Sequence, residues 1–138
     1  MASAIIGGLL QKGWPADALR AVETDAGARA RLETTFGIKA YAEAGAGMHG
    51  SACIVLAVKP QQMRSAAQAV RRDLKSQLVI SIAAGIRAAD LSRWLGDYPR
   101  IVRVMPNTPA LVLSGISGLY AMPAVAAADR AQVEKIMG

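Results

Sequence analysis

The sequence predicts an α/β fold, a doubly wound parallel sheet with helices on both faces in three layers. Short apolar runs rich in β-branched residues, typical of strands that are buried on both faces, alternate with segments of helical periodicity. The chain has 138 residues, of which 53% are apolar, and this is enough material for one domain with one core. Aromatic residues make up only 4%, so Ala, Val, Ile and Leu must fill that core.

The first part of the chain contains two helices, one weak strand and one uncertain segment. An apolar helix is predicted over 2–13, ended by Gly13, and a strand over 18–22. A second helix is predicted over 26–36, capped by Asp25 or Thr24 and followed by Gly37. The Gly/Ala-rich stretch over 39–50 is expected to form a short irregular helix or a loop.

The second part of the chain has clearer strands. The predicted elements are a strand over 51–58, a helix over 61–74 with Pro60 in its first turn, a strand over 77–82, a helix over 88–95, a strand from Ile101 to Met105, an edge strand over 116–121 and a helix from Ala127 onward. Because the strand over 51–58 is apolar almost throughout, we expect it to be buried on both faces.

Three successive strands end in compact loops. These contain Lys59-Pro60, Ala83-Ala84-Gly85 and the stretch 106–109, where two prolines stop the strand and present Asn107 and Thr108. In a parallel sheet the three loops meet at the carboxyl edge, where ligands bind. The alternative for the last loop is a Pro-rich turn that only ends a strand.

Composition argues against several functional classes. The net charge of +6 is scattered and is not interleaved with aromatic residues, which disfavours a nucleic-acid surface, although it suits an anionic cofactor. With one Cys and one His, no disulfide framework, metal site or nucleophilic triad is expected. No membrane-spanning run or secretory signal is apparent, so we expect a cytoplasmic location.

A reaction whose difficult step is carried by a cofactor fits what remains, because the protein then supplies binding and orientation. Hydride transfer from a nicotinamide cofactor is the candidate. The Gly-rich dinucleotide fingerprint is not found, and its natural place would be before residue 1.

Several ordered segments resemble pyrroline-5-carboxylate reductase. They are Met1-Ala2, Val55–Gln61 (VLAVKPQ), Val79–Ile86 (VISIAAGI), Arg100–Ala110 (RIVRVMPNTPA) and Gly115–Ala121 (GISGLYA). The resemblance implies a Rossmann-like NAD(P)-binding domain and an enzyme in which NADPH or NADH reduces 1-pyrroline-5-carboxylate to L-proline, the last step of proline biosynthesis.

The resemblance also implies the residues that contact the cofactor. They are Met1, Ala2, Glu23, Thr24, Ala57, Val58, Lys59, Pro60, Ile82, Ala83, Ala84, Asn107 and Thr108. Glu23 and Thr24 would meet the adenosine ribose or its 2′-phosphate, and Asn107 and Thr108 would stand near the nicotinamide. No residue is assigned as catalytic, because none is a convincing acid for the imine nitrogen, and no metal is expected.

Two departures from the family pattern bear on the cofactor. An Asn that many members place near the adenosine is Ala44 here, which implies one weaker contact. Glu23 would repel a 2′-phosphate and so favours NADH, although the nearby Arg29 could offset that charge.

By the same resemblance, residues 1–138 are an incomplete cofactor domain. Family members begin with a strand and a Gly-rich turn, and they continue into a helical dimerisation domain. We therefore expect the complete protein to be a homo-oligomer. Because the first strand of a doubly wound sheet is central, we expect the chain as written to be inactive and to lack micromolar NAD(P)H binding.

Two other functions stay open. One is a related NAD(P)-dependent oxidoreductase that acts on another imine or a hydroxy acid, since the fold does not define the substrate. The other is a non-catalytic remnant of a dinucleotide domain.

Overall fold

The structure is a computed structural model that describes residues 2–106 and 116–137. The helices are α1 (Ala2–Gln11), α2 (Ala26–Phe36), α3 (Ala44–Met48), α4 (Met63–Arg71), α5 (Ala88–Trp94) and α6 (Ala127–Met137), and the strands are β1 (Arg20–Val22), β2 (Lys39–Tyr41), β3 (Cys53–Leu56), β4 (Leu78–Ser81), β5 (Ile101–Pro106) and β6 (Ile116–Ala121). They form two compact units, residues 1–49 and residues 50–138. Among the described helices, none is both long enough and apolar enough to cross a membrane.

The first unit is built on a parallel pair of short strands. β1 pairs with β2 from Arg20 opposite Lys39 to Val22 opposite Tyr41. Both α2 and α3 contact the two strands, and α1 contacts α2. The close approach of α3 to β1 depends on Gly47, because a Cβ at this position would lie 2.4 Å from Cγ2 of Val22.

Helix α2 has the bounds that the sequence predicts. Its N-cap is Asp25, whose side chain accepts a hydrogen bond from the Ala28 N–H at 2.7 Å. Its C-cap is Gly37, which adopts the left-handed conformation with φ 70° that glycine tolerates without strain. Local signals at both ends therefore define this helix.

The second unit contains a four-stranded sheet in the order β3-β4-β5-β6. The first three strands are parallel, with Leu56 opposite Ser81 and Ser81 opposite Arg103. β6 is antiparallel to β5 and is the edge strand that the sequence predicts. The α/β class and the parallel central strands are confirmed.

β5 extends one residue further than predicted, to Pro106. Pro106 lies opposite Ile116 of β6, and the register shifts between Met105 and Pro106. A proline is tolerated there because an irregular strand end does not require its missing N–H.

The core of the second unit lies around β4 and β5. Its large, fully buried apolar side chains are Met63, Leu78, Val79, Ile80, Leu91, Ile101, Val102, Val104 and Val133. Every residue of β4 is buried. By contrast, Cys53, Ile54 and Val55 of β3 are only half-buried, so the expectation of a strand buried on both faces is wrong. β3 is the terminal strand of its four-stranded sheet, and an apolar sequence does not reveal a strand's position in a sheet.

Three other sequence predictions need correction. The stretch 39–50 contains a strand, β2, in addition to the short helix α3. The strand predicted over 18–22 begins at Arg20, after a 3-10 turn over Ala16–Ala18. The helix predicted over 61–74 is shorter, because Pro60–Gln62 form a 3-10 turn and α4 ends at Arg71.

Candidate cofactor site

The loops that follow β3 and β4 are neighbours at the carboxyl edge of the four-stranded sheet. Leu56 and Ser81 are partners at the ends of these parallel strands, and the Ile82 N–H donates to the Leu56 carbonyl at 3.4 Å. Adjacent strands are about 4.8 Å apart. The segments 57–60 and 82–84 therefore leave the sheet side by side, as the sequence predicts.

The loop after β3 places a cation at this edge. Ala57 and Val58 are half-buried, whereas Lys59 and Pro60 are exposed. The Lys59 carbonyl accepts a hydrogen bond from the Gln62 N–H at 2.9 Å, and Pro60 opens the 3-10 turn. The turn fixes the backbone conformation at Lys59. The exposed side chain of Lys59 is accessible to an anionic ligand.

The loop after β4 is small and is held by a buried hydroxyl. Ser81 is 1% exposed, and its Oγ accepts a hydrogen bond from the Ala83 N–H at 3.4 Å. Ile82 is half-buried, Ala83 is buried and Ala84 is exposed. The role of Ser81 was not predicted, although a serine at a strand end often bonds the backbone two residues later.

Three of the predicted contact residues lie outside the described residues. These are Met1, Asn107 and Thr108. The described part of β5 runs parallel to β4, so it leads to the same edge as the loops after β3 and β4.

In the first unit, Glu23 and Thr24 follow β1 at its carboxyl end, and Ala2 is the exposed first residue of α1. The Glu23 N–H donates to the Tyr41 carbonyl at 2.8 Å. The Arg29 guanidinium reaches back from α2, and its Nη1 donates to the carbonyls of Glu23 and Thr24 at 2.8 and 3.0 Å. The sequence indicates that Arg29 is near this turn but not which atoms it binds.

The opposite, amino edge of the four-stranded sheet carries an ion pair and a phenol. Arg100 Nη2 lies 2.8 Å from Asp129 Oδ2, which connects the start of β5 to α6, and Nη1 of Arg100 donates to the Ser76 carbonyl. The Tyr98 hydroxyl donates to the Gln77 carbonyl at 2.6 Å, and burial raises its pKa above the usual value. These groups stabilise the edge that lies away from the candidate site.

Each unit, taken by itself, offers groups of the kinds that dinucleotide-binding proteins use. Small residues at 83–84 allow close approach of a ligand, the exposed Lys59 suits a pyrophosphate, and the turn at Glu23 offers a carboxylate to ribose hydroxyls. Over residues 2–106 and 116–137 there is no group of three or more His, Cys, Asp or Glu residues that could hold a metal ion.

Comparison with known proteins defines the family. Residues 1–85 match the family described as NADP oxidoreductase, coenzyme F420-dependent. The chain belongs to this family. Membership confirms the predicted class, an oxidoreductase that uses NADPH or NADH, and the predicted Rossmann-like fold agrees with the solved relatives described next.

The chain is also similar to pyrroline-5-carboxylate reductases, which confirms the resemblance seen in its sequence. It is 43% identical to that of Pseudomonas aeruginosa over 99% of the chain and 50% of the relative. The solved reductase of Coxiella burnetii is 30% identical, with a TM-score of 0.91, over 99% of this chain and 51% of that one. The pyrroline carboxylate reductase of Plasmodium falciparum, solved with NADP bound, is 25% identical, with a TM-score of 0.81. The match covers 98% of this chain and 49% of that one. The chain thus spans about half the length of these relatives.

Proposed function

We propose that the chain is the nicotinamide-cofactor-binding part of a reductase that converts 1-pyrroline-5-carboxylate to L-proline. The observation that carries this proposal is the 43% identity to the Pseudomonas aeruginosa reductase over 99% of the chain. Support comes from the two neighbouring loops after β3 and β4, which lie where a parallel sheet binds its ligand. When bound, NADPH or NADH would supply the hydride for the imine carbon.

The residues of the chain bind and orient the cofactor in this proposal. In the second unit, Lys59 attracts the pyrophosphate, and the loop at Ala83 and Ala84 lets the dinucleotide approach the backbone. Ala57, Val58, Pro60 and Ile82 form the surrounding apolar surface. Glu23 and Thr24 contact the adenosine ribose. Cofactor contacts of Met1, Ala2, Asn107 and Thr108 stay predictions from the family resemblance. No residue is assigned to proton transfer.

Several predictions accompany the proposal. Three statements remain predictions: that residues 1–138 form an incomplete NAD(P)-binding domain, that the complete protein is a homo-oligomer, and that it is cytoplasmic. The small-molecule substrate is proposed from the relatives' names, since this chain spans only about half of their length.

A chimeric enzyme tests the proposed function. The 138 residues replace the matching half of the Pseudomonas aeruginosa reductase, and the chimera is expressed in a proline auxotroph. We expect growth without proline. A soluble, folded chimera that does not restore growth would contradict the proposal and would favour the alternatives of another substrate or a non-catalytic remnant.

A matched pair of substitutions connects this result to the site. Ala84 and Ala89 are both exposed in the second unit, but Ala84 lies at the carboxyl edge and Ala89 lies in α5. Ala84→Glu should weaken NAD(P)H binding to the chimera by about tenfold or more, because it adds a like charge next to the pyrophosphate. Ala89→Glu should leave binding and growth unchanged. Equal effects of the two substitutions on NAD(P)H binding would show that the loop after β4 is not part of the cofactor site.

A further inference from the structure

The turn after β1 holds the backbone of one acidic residue at both ends. The Glu23 N–H donates to the Tyr41 carbonyl, and the Glu23 carbonyl accepts from Nη1 of Arg29, both at 2.8 Å. Glu23 is half-buried. Its Cα is therefore fixed at the carboxyl end of β1 by a bond to the neighbouring strand and a bond to the following helix.

The charge of Arg29 is directed to main-chain oxygens. Its Nη1 donates to the carbonyls of Glu23 and Thr24. Three ion pairs of the described chain join Asp90 to Arg87 and to Arg93, and Asp129 to Arg100, and none of these three involves Glu23. The guanidinium that reaches this turn, that of Arg29, thus bonds carbonyl oxygens and does not pair with the carboxylate of Glu23.

A second carboxylate lies in the same turn. Asp25 caps α2 and accepts from the Ala28 N–H at 2.7 Å. The turn therefore presents two carboxylates and one guanidinium that is already bonded to the backbone. A phosphate monoester carries nearly two negative charges at neutral pH, whereas a ribose hydroxyl is neutral and can donate a hydrogen bond to a carboxylate.

Resting on the proposed function, we propose that Glu23 makes this chain select NADH over NADPH, although its family is described by NADP. Glu23 accepts a hydrogen bond from the adenosine ribose 2′-hydroxyl and repels a 2′-phosphate at the same position. Arg29 is a positioning residue: it fixes the backbone of Glu23 and Thr24 and does not serve as the ligand of a phosphate.

Direct binding measurements test this selectivity independently of catalysis. NADH and NADPH are each titrated against the 138-residue chain by ligand-observed NMR up to millimolar concentration, because the chain alone is expected to bind weakly. We expect the dissociation constant of NADPH to exceed that of NADH by about tenfold or more at low ionic strength. The difference should shrink as salt is added, since salt screens the repulsion.

Two charge-neutralising variants distinguish an effect of the Glu23 carboxylate from an effect of the overall charge of the chain. Glu23→Gln keeps the side-chain size and leaves both backbone hydrogen bonds available, so it should bring the ratio of the two dissociation constants close to one. Glu33→Gln removes one negative charge from an exposed position of α2 and should leave the ratio unchanged. Circular dichroism establishes that both variants are folded, and Glu23→Ser serves as a second variant.

A third variant tests the role of Arg29. Arg29→Gln should weaken the binding of NADH and of NADPH by similar factors, because it loosens the turn that both ligands contact. Arg29→Lys should recover part of each affinity. A selective loss of NADPH of about tenfold would instead identify Arg29 as a phosphate ligand and overturn the inference.

The remaining outcomes distinguish the two proposals. Equal affinity for both cofactors in the unsubstituted chain, or tighter binding of NADPH, overturns the selectivity while leaving the proposed function intact. If only the chimera binds, the same ratios are measured in the chimera. Failure of both the unsubstituted chain and the folded chimera to bind either cofactor at millimolar concentration contradicts the proposed function of this chain and removes the selectivity with it.

Discussion

Cys53 is the only cysteine of the chain. The pKa of its thiol depends on charged groups at the amino edge of the four-stranded sheet. Burial raises the pKa of the Cys53 thiol above its usual value, the carboxylate of Asp129 raises it further, and the guanidinium of Arg100 lowers it in part. Both charged groups belong to the ion pair that connects β5 to α6. The two partners of that pair therefore act on the pKa of one thiol in opposite directions.

We expect Asp129→Asn to lower the pKa of Cys53, because it removes a negative charge and leaves Arg100 unneutralised. Arg100→Gln should raise the pKa for the converse reason. The thiolate absorbance near 240 nm, followed against pH, measures both changes. Asp73→Asn, an exposed change elsewhere in the second unit, is the control. Shifts of the same sign in Asp129→Asn and Arg100→Gln would contradict the placement of this ion pair.

Helix α2 shows how one cap defines an element. Its sequence has little amphipathic character and none of its residues is buried, so packing alone does not determine where it starts. The carboxylate of Asp25 satisfies the Ala28 N–H, one of the backbone donors that a helix start leaves unpaired. The same residue ends the turn that carries Glu23, so the cap also positions part of the candidate site.

Asp25→Ala should lower the free energy of unfolding by about 1 kcal/mol, because alanine cannot accept from the Ala28 N–H. Asp25→Asn should cost only a few tenths of that amount, since asparagine caps about as well as aspartate. Urea unfolding followed by circular dichroism at 222 nm compares the two variants. If Asp25→Asn lost as much stability as Asp25→Ala, the charge of Asp25 and not its cap would be the source of the stabilisation.

The elements that sequence predicts best are those with signals at both ends. Helix α2 lies between Asp25 and Gly37, and its bounds agree with the structure. β2 was missed because it is only three residues long and lies in a Gly/Ala-rich stretch, so its strand conformation depends on pairing with β1. The position of β3 in the sequence is predicted correctly, but its burial is not. Burial depends on the number of neighbouring strands, and β3 is a terminal strand of its sheet.

For the candidate site, topology was predictable and side-chain bonding was not. Parallel β3 and β4 bring the loops after them to one edge, as alternating strands and helices imply. The bond from the Ala83 N–H to Ser81 Oγ and the bonds from Arg29 to two carbonyls depend on rotamers and on local backbone geometry. The selectivity proposed for Glu23 rests on the bonds of Arg29, which the sequence does not reveal, and the choice between NADH and NADPH stays open from the sequence alone.

On the scale of the whole molecule, the two compact units differ in how deeply their strands are buried. All four residues of β4 are buried, and Ile101 and Val102 of β5 are fully shielded. By contrast, β1 and β2 contain no buried residue and pair only with each other. A two-stranded sheet with exposed side chains contributes little independent stability.

Native-state hydrogen exchange should therefore divide the chain by unit. Amides of β4 and of the first half of β5 should exchange most slowly, because their opening requires disruption of the core. Amides of β1 and β2 should exchange faster by about tenfold or more, since local opening exposes little apolar surface. Exchange is followed by NMR or mass spectrometry and normalised to the rates of the chain unfolded in urea. Equal protection of β2 and β4 would mean that the first unit opens only when the second unit unfolds.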